Sequence, residues 1–319
     1  MYLRTDSYIV ENEVIKVSSL VNDMNVATSS LVAGARLNEM RKWLSPQDPS
    51  SNHNNAVSLC HGGTGQWLIQ GKTFVRFKDG EIPFLWLNGL PGCGKTVLSS
   101  SIIEDLEHSS SKLSLRKLYF YFDFNDTRKQ TLESALRSLL WQASIYPGAS
   151  AQVLAQLYDS CGRGGAQPSV TRLSESLGKE LLLQDTVIVI DALDECTTRS
   201  DLLSWLSRLT RHDTGSVRVI FTSRKDQDIQ VGLESWLESS AIVPLQEQIV
   251  DEDIGAYVRH RLQNDAQLQR WRGHQRIQSE IEAKLMDGAN GMHVRTNAGN
   301  MLSIHTLTIQ QVSMGQLSA

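Results

Sequence analysis

The chain has 319 residues, 40% of them hydrophobic and 21% charged, which suits one or two globular domains able to bury a sizeable core. Its formal net charge of −4 asks for neither a nucleic-acid nor an anionic-membrane partner. The four cysteines, Cys60, Cys93, Cys161 and Cys196, lie far apart with no Cys-x-x-Cys pair, which speaks against a zinc site and for a reducing compartment. The N-terminus "MYLRTDSYIVENEV" lacks the apolar core of a signal peptide, and no apolar run approaches membrane-spanning length. The expectation is a soluble, cytoplasmic protein with no nucleic-acid partner and no membrane span.

In chain order, residues 1–44 carry a weak helical pattern, and "SPQDPSSNHNN" reads as a linker or exposed loop. Residues 1–59 are therefore expected to be a short helical segment and linker. From 60 to 292 the pattern alternates. "FLWLNGL", "KLYFYFDF", "TVIVIDAL", "VRVIFTSR" and "AIVPL" are strand-like apolar runs. Between them, Leu98, Ile102 and Leu106 share one helical face, as do Leu132, Leu136, Leu139 and Leu140. Alternating strands and helices predict an α/β fold, a mostly parallel five-stranded sheet covered on both faces in three αβα layers. Trp86, Trp141 and Trp205 lie in apolar patterns and are expected in the core. The arginines at 259, 261, 270, 272 and 276 read as a solvated helix face. Between His293 and Ala319 Arg295 is the one formally charged residue among Ser, Thr, Gln, Asn and Gly. That tail is expected to be disordered or aberrant, for instance an intron start at Val294-Arg295 read through as coding sequence.

Gly89-Leu-Pro91-Gly92-Cys93-Gly94-Lys95-Thr96 fits G-x-x-x-x-G-K-[ST], with a strand before it and an amphipathic helix after it. The glycines let the backbone aim N–H groups at phosphate oxygens, and the positive end of the helix adds to that field. Lys95 is expected to reach the β- and γ-phosphates and the Thr96 hydroxyl to bind Mg²⁺. The plainer alternative is a glycine turn ahead of a helix. "VIVIDALDE" then supplies an acid at a strand end, Asp191, to hold the metal shell. Asp194 and Glu195 follow; one of them could orient or deprotonate a water, or both could cap the helix in "TTRSDLLSWLSRL". "VRVIFTSR" ends in Arg224. In P-loop ATPases with an inserted strand, that strand lies between the loop strand and the acidic strand, and Arg224 would face the γ-phosphate.

With "DALDE", small Ala192 following the metal aspartate, and "FTSR", these residues resemble the NACHT group of STAND P-loop NTPases. "WLSPQDPS", "GTGQWL", "FYFDFND" and "VDEDIGAYVRHRL" resemble the fungal branch with a nephrocystin-like N-terminal NTPase domain. The likeness covers roughly residues 40–292. It implies inserted-strand topology and a nucleotide-dependent switch using Mg²⁺ and ATP/ADP, with GTP still open. It also implies signalling related to innate immunity, such as heterokaryon incompatibility or cell death in fungi. Partners would be other proteins or further copies, engaged through effector and repeat regions. Thr64 and Gly65, with Trp67, would pack near the base, although Trp67 suits a core position as well. Two departures stand out: too few residues precede Gly89 for a full effector domain, and the polar text after Met292 replaces the expected lid. A kinase or GTPase is the competing enzyme reading. "SRKD" at 223–226 only approaches the guanine-reading N-K-x-D, and Asp191-Ala-Leu-Asp194 lacks the GTPase glycine. A nucleotide-binding interaction module without turnover is the third reading.

Overall fold

A computed structural model describes residues 3–60, 64–109, 115–211 and 217–245, with positions 276 and 279. The tail from 293, the "VDEDIGAYVRHRL" segment and all but one of the arginines of the basic stretch lie outside the described residues. The five apolar runs form β1 (Phe84–Asn88), β2 (Arg116–Tyr121), β3 (Thr186–Asp191), β4 (Val217–Ser223) and β5 (Ile242–Pro244). They pair in the order β2-β3-β4-β1-β5, and every pairing is parallel. β4 therefore lies between the loop strand and the acidic strand, the inserted-strand arrangement.

Alternation along these strands builds two separate cores, because successive side chains leave a strand on opposite faces. Phe84, Trp86, Phe120, Ile188, Ile190, Val219 and Phe221 belong to one. Leu85, Leu87, Tyr121, Val187, Val189 and Ile220 belong to the other. Helix α6 (Leu132–Ile145) brings Leu132, Leu136, Leu139 and Leu140 to the first, joined by α8 (Val170–Leu181) and α9 (Arg199–Arg211). Helix α5 (Lys95–Ser109) brings Leu98, Ile102 and Leu106 to the second, beside Phe74 and Phe77 of α4 (Lys72–Lys78). Trp86 and Trp205 are buried, while Trp141 and Trp67 are partly buried against these cores. Three layers follow from these facts.

One expectation needs correction. "SPQDPSSNHNN" is not a linker or exposed loop for most of its length: helix α2 spans Ser50–Leu59. Its polar composition hides two inward residues, Ala56 and His53, both buried. His53 Nδ1 lies 3.0 Å from the Tyr121 hydroxyl on β2, and Nε2 lies 3.3 Å from Glu104 Oε1 on α5. Burial and these bonds stabilise a helix that local composition disfavours. Ahead of it, α1 (Leu3–Leu44) ends with Met40, Trp43 and Leu44 inside the first core. Trp43 Nε1 donates to Ala166 O at 2.8 Å, and Arg137 Nη1 donates to Leu44 O at 2.8 Å. Packing thus runs on across residue 59. Between α6 and α8, α7 (Gln152–Ser160) receives the Arg36–Asp159 ion pair from α1 at 2.6 Å.

At the other end of the sheet, the first residue of β2 is a charge that is 1% exposed, Arg116. Its Nε donates to Thr186 Oγ1 at 3.0 Å and its Nη2 to Glu180 O at 2.6 Å, with the Glu180 carboxylate at 3.6 Å. Removing one partner of such a pair strands the other in the interior. Glu180→Ala should therefore lose roughly 3–5 kcal/mol in urea denaturation. Glu81→Ala, which frees exposed Arg76, should lose at most about 1 kcal/mol.

Candidate functional site

β1 ends at Asn88, and the chain turns through Gly89–Gly94 into α5 at Lys95. Gly92 (φ 80°) and Gly94 (φ 82°) take left-handed backbone that a side chain would oppose. Gly89 has no room for more, since a Cβ there would lie 2.7 Å from Cys93 Sγ and 3.0 Å from Leu245 Cβ. Cys93 is buried inside the loop, and burial pushes its thiol up, against the pull of nearby Lys95. Pro91 and Gly92 are exposed on the outer turn. The Lys95 ammonium donates to Gly89 O at 2.9 Å and Leu90 O at 2.8 Å, so it lies over the loop's own carbonyls. Since α5 starts at Lys95, the N–H groups of Lys95, Thr96 and Val97 have no acceptor within the helix. This is a cradle whose free donors and ammonium suit an anion.

The loop meets the acidic strand where Thr96 Oγ1 donates to Asp191 Oδ2 at 2.7 Å. Asp191 is 2% exposed. Its other oxygen, Oδ1, accepts from Ser99 Oγ and from Thr222 Oγ1, each at 2.7 Å. Burial raises its pKa, while the hydrogen bonds of Thr222, Thr96 and Ser99 and the charge of Lys95 oppose the rise. Ser99 did not stand out in the sequence, and Thr222 lay unassigned within "FTSR". The available signals were spacings: Ser99 is one turn beyond Thr96, and Thr222 is two residues before Arg224, near the end of β4.

After Asp191 the chain reverses through Ala192 (φ 59°, ψ 54°) into a short 3-10 turn, Leu193–Glu195. That turn separates the two acids. Asp194 is 6% exposed and is engaged by Arg224 through both oxygens: Oδ1 accepts from Arg224 N at 2.9 Å, Oδ2 from Nε at 2.6 Å. Glu195 is half-buried, and its Oε2 accepts from Phe124 N at 2.8 Å. The bonds of both acids thus go to Arg224 and Phe124 rather than to the start of α9. Burial pushes the Glu195 carboxyl up to about 7, the charges of Asp194, Asp191 and Asp123 add to the rise, and the Phe124 bond opposes it. A carboxylate with that proton affinity suits proton transfer near neutral pH.

Thr64 and Gly65 lie on the flank of α5. Gly65 is buried at φ 73°, where a Cβ would meet Leu98 Cδ2 at 2.7 Å. Thr64 lines a cleft of about 440 Å³ with Gln66, Ile69, Ser101 and Glu104, beside the helix that opens at Lys95. The arrangement therefore joins the loop, Asp191, Glu195 and Arg224 at the C-terminal ends of β1, β3 and β4, with Thr64 and Gly65 to one side. The donor set fits Mg²⁺ arriving with a nucleotide. Thr96 and Asp191 offer oxygen ligands, but among the described residues no group of three or more His, Cys, Asp or Glu could hold a metal alone. The phosphates would complete the shell.

A group whose folded pKa stands above its ordinary value adds stability that is full below the ordinary value and is lost as pH rises through the folded one. For Glu195 that window runs from 4.5 to about 7. Gln cannot ionise, yet its amide oxygen can still accept from Phe124. The melting temperature of Glu195→Gln relative to wild type should therefore be higher at pH 8 than at pH 5, as paired thermal melts would read. A difference independent of pH would contradict the raised carboxyl.

Residues 63–224, just over half of the chain, match the family model described as nephrocystin 3, N-terminal. The vegetative incompatibility protein HET-E-1 of Podospora anserina is 28% identical over 205 residues, covering 61% of this chain. The chain spans only 15% of that relative's length. Among solved structures, Cdc6p from Pyrobaculum aerophilum aligns with a TM-score of 0.41 at 14% identity, covering 62% of this chain and 50% of its own. The Aeropyrum pernix ORC1 protein, solved in complex with DNA, aligns with a TM-score of 0.40 at 16% identity, covering 61% and 53%. With the phosphate loop, the acidic strand and the inserted strand assembled in one parallel sheet, the chain belongs to the nephrocystin 3, N-terminal family, and it is a NACHT-like nucleotide-binding P-loop NTPase module.

Proposed function

We propose that this module binds ATP or ADP with Mg²⁺, hydrolyses ATP slowly, and serves as the nucleotide-dependent switch of a cytoplasmic signalling protein. The reading extends to self/non-self recognition or cell death of the heterokaryon-incompatibility kind, through protein partners or further copies engaged outside this module. The observation that carries it is the 2.7 Å bond between Thr96 and Asp191, which joins a phosphate loop to a metal-competent acid. A bound Mg²⁺ would neutralise charge gathering on the phosphoryl oxygens. Lys95 and the N–H groups of the first turn of α5 bind phosphate, and Thr96 and Asp191 hold the cation. Glu195 takes the proton of the attacking water, its raised proton affinity being suited to that step. Asp194 works through Arg224: it anchors Nε, so the remaining guanidinium N–H groups can face the terminal phosphate. Among the described residues, no helix is long and apolar enough to cross a membrane.

A charge-assisted phosphate contact contributes about 1.5–3 kcal/mol, so Lys95→Ala should weaken ATP and ADP binding at least about tenfold in calorimetry. Equal affinities would end the phosphate-loop reading. Glu195→Gln should keep near-normal ATP binding yet slow single-turnover hydrolysis on the order of a hundredfold. Wild type should itself turn over slowly and retain its product. An unchanged rate in Glu195→Gln would favour the alternative, a module that holds nucleotide for interaction without significant turnover.

A further inference from the structure

We infer that Ser99 and Thr222 are positioning residues that set Asp191, and through it Thr96, to receive a divalent cation carried by a nucleotide phosphate. The inference rests on the nucleotide-binding reading above and adds two residues to it. Both hydroxyls are fully buried, and both donate to one oxygen, Asp191 Oδ1, at 2.7 Å. They come from different elements, Ser99 from α5 and Thr222 from β4, so the carboxylate is held from two sides.

The direction of each bond follows from proton counting, because a hydroxyl carries one proton and two lone pairs. Thr222 Oγ1 accepts from the backbone N–H of Ala192 at 2.9 Å, so its proton goes to Asp191. Ala192 directly follows Asp191, and this closes a ring between the end of β3 and the end of β4. With Oδ1 occupied twice, rotation of the carboxylate about Cβ–Cγ would break two bonds in the interior. Oδ2 is thereby kept toward Thr96, which is exposed on the loop side. Thr96 in turn spends its one proton on Oδ2, and its lone pairs face away from Asp191. A hydroxyl so oriented is a ready oxygen ligand for a hard cation. Without the two supports, Asp191 could turn, and the Thr96 hydroxyl would lose the acceptor that orients it.

Outer-shell partners of this type change metal affinity more than they change the fold. The test is binding of a fluorescent ADP analogue titrated with Mg²⁺, and again in EDTA, for wild type, Ser99→Ala, Thr222→Val and Thr222→Ser. Ser99→Ala and Thr222→Val should raise the Mg²⁺ midpoint by roughly 10–100-fold while EDTA-state affinity stays near wild type. Thr222→Ser keeps the hydroxyl and should restore the wild-type midpoint. Unchanged midpoints in both deletions would overturn the inference, as would an equal loss in EDTA, which marks damage to the loop itself. Ser99→Ala lies in a helix where alanine is favoured, so it decides the matter alone should Thr222→Val fail to fold. Wild type that binds the analogue equally with and without Mg²⁺ would overturn the metal reading beneath the proposal. That failure differs from a Mg²⁺-dependent wild type with indifferent variants.

Discussion

A carboxylate 2% exposed at the end of a strand buried along its whole length is the demand around which this molecule is arranged. Left alone, such a group would cost several kcal/mol or take up a proton. Among the described residues Asp191 has no ion-pair partner; three hydroxyls serve it instead. Those hydroxyls sit on α5 and β4, so Asp191 is satisfied only if β4 lies beside β3 and the start of α5 lies over the end of β3. The strand order meets both conditions. A fold that swapped β4 with β1 would leave the buried acid short of a donor.

Burial on both faces of the sheet explains why so few polar groups are admitted. Trp86 is buried with its indole N–H donating to Ser223 Oγ at 2.8 Å, which ties β1 to β4 beneath the loop. Ser223 passes its own proton to Arg224 O at 2.7 Å. Alternation along the tip of β4 thus sends Thr222 toward the acidic strand and Ser223 toward the other face. Residues two apart, Thr222 and Arg224, serve neighbouring acids, Asp191 and Asp194.

Much of this was legible in the sequence because it is local. The five apolar runs, the faces of α5 and α6, and the spacing of Gly89–Thr96 express the periodicity of strands and helices and the steric needs of a tight turn. The stretch "SPQDPSSNHNN" reads as a loop because the helix that starts within it at Ser50 depends on burying His53 and Ala56 against elements far along the chain. The split between Asp194 and Glu195 was equally hidden. Adjacent residues of like charge look interchangeable in a sequence, and only the turn at Ala192 sends one to Arg224 and the other to Phe124. Ser99 had no motif to announce it, since a serine in a helix is ordinary, and Thr222 lay within "FTSR", where Arg224 was the residue that drew a role.

The placement of β4 also bears on how such a site can act as a switch. β1 and β3 are not neighbours but stand two strand spacings apart, roughly 10 Å. Thr96, in the first turn of α5, reaches across that gap to Asp191. The tips of β3 and β4 are joined by Thr222, which bonds both Asp191 and Ala192, and by Arg224, which bonds Asp194, so the two ends are tied together. Arg224 remains 46% exposed in its side chain while its partner carboxylate is buried. Drawing that guanidinium toward a phosphate would pull against its Nε bond to Asp194, whose next neighbour is Glu195. In the proposed reading, a charge at the loop would reach Glu195 through Arg224 and Asp194. Local coupling of this kind suits a protein whose output depends on which nucleotide it holds.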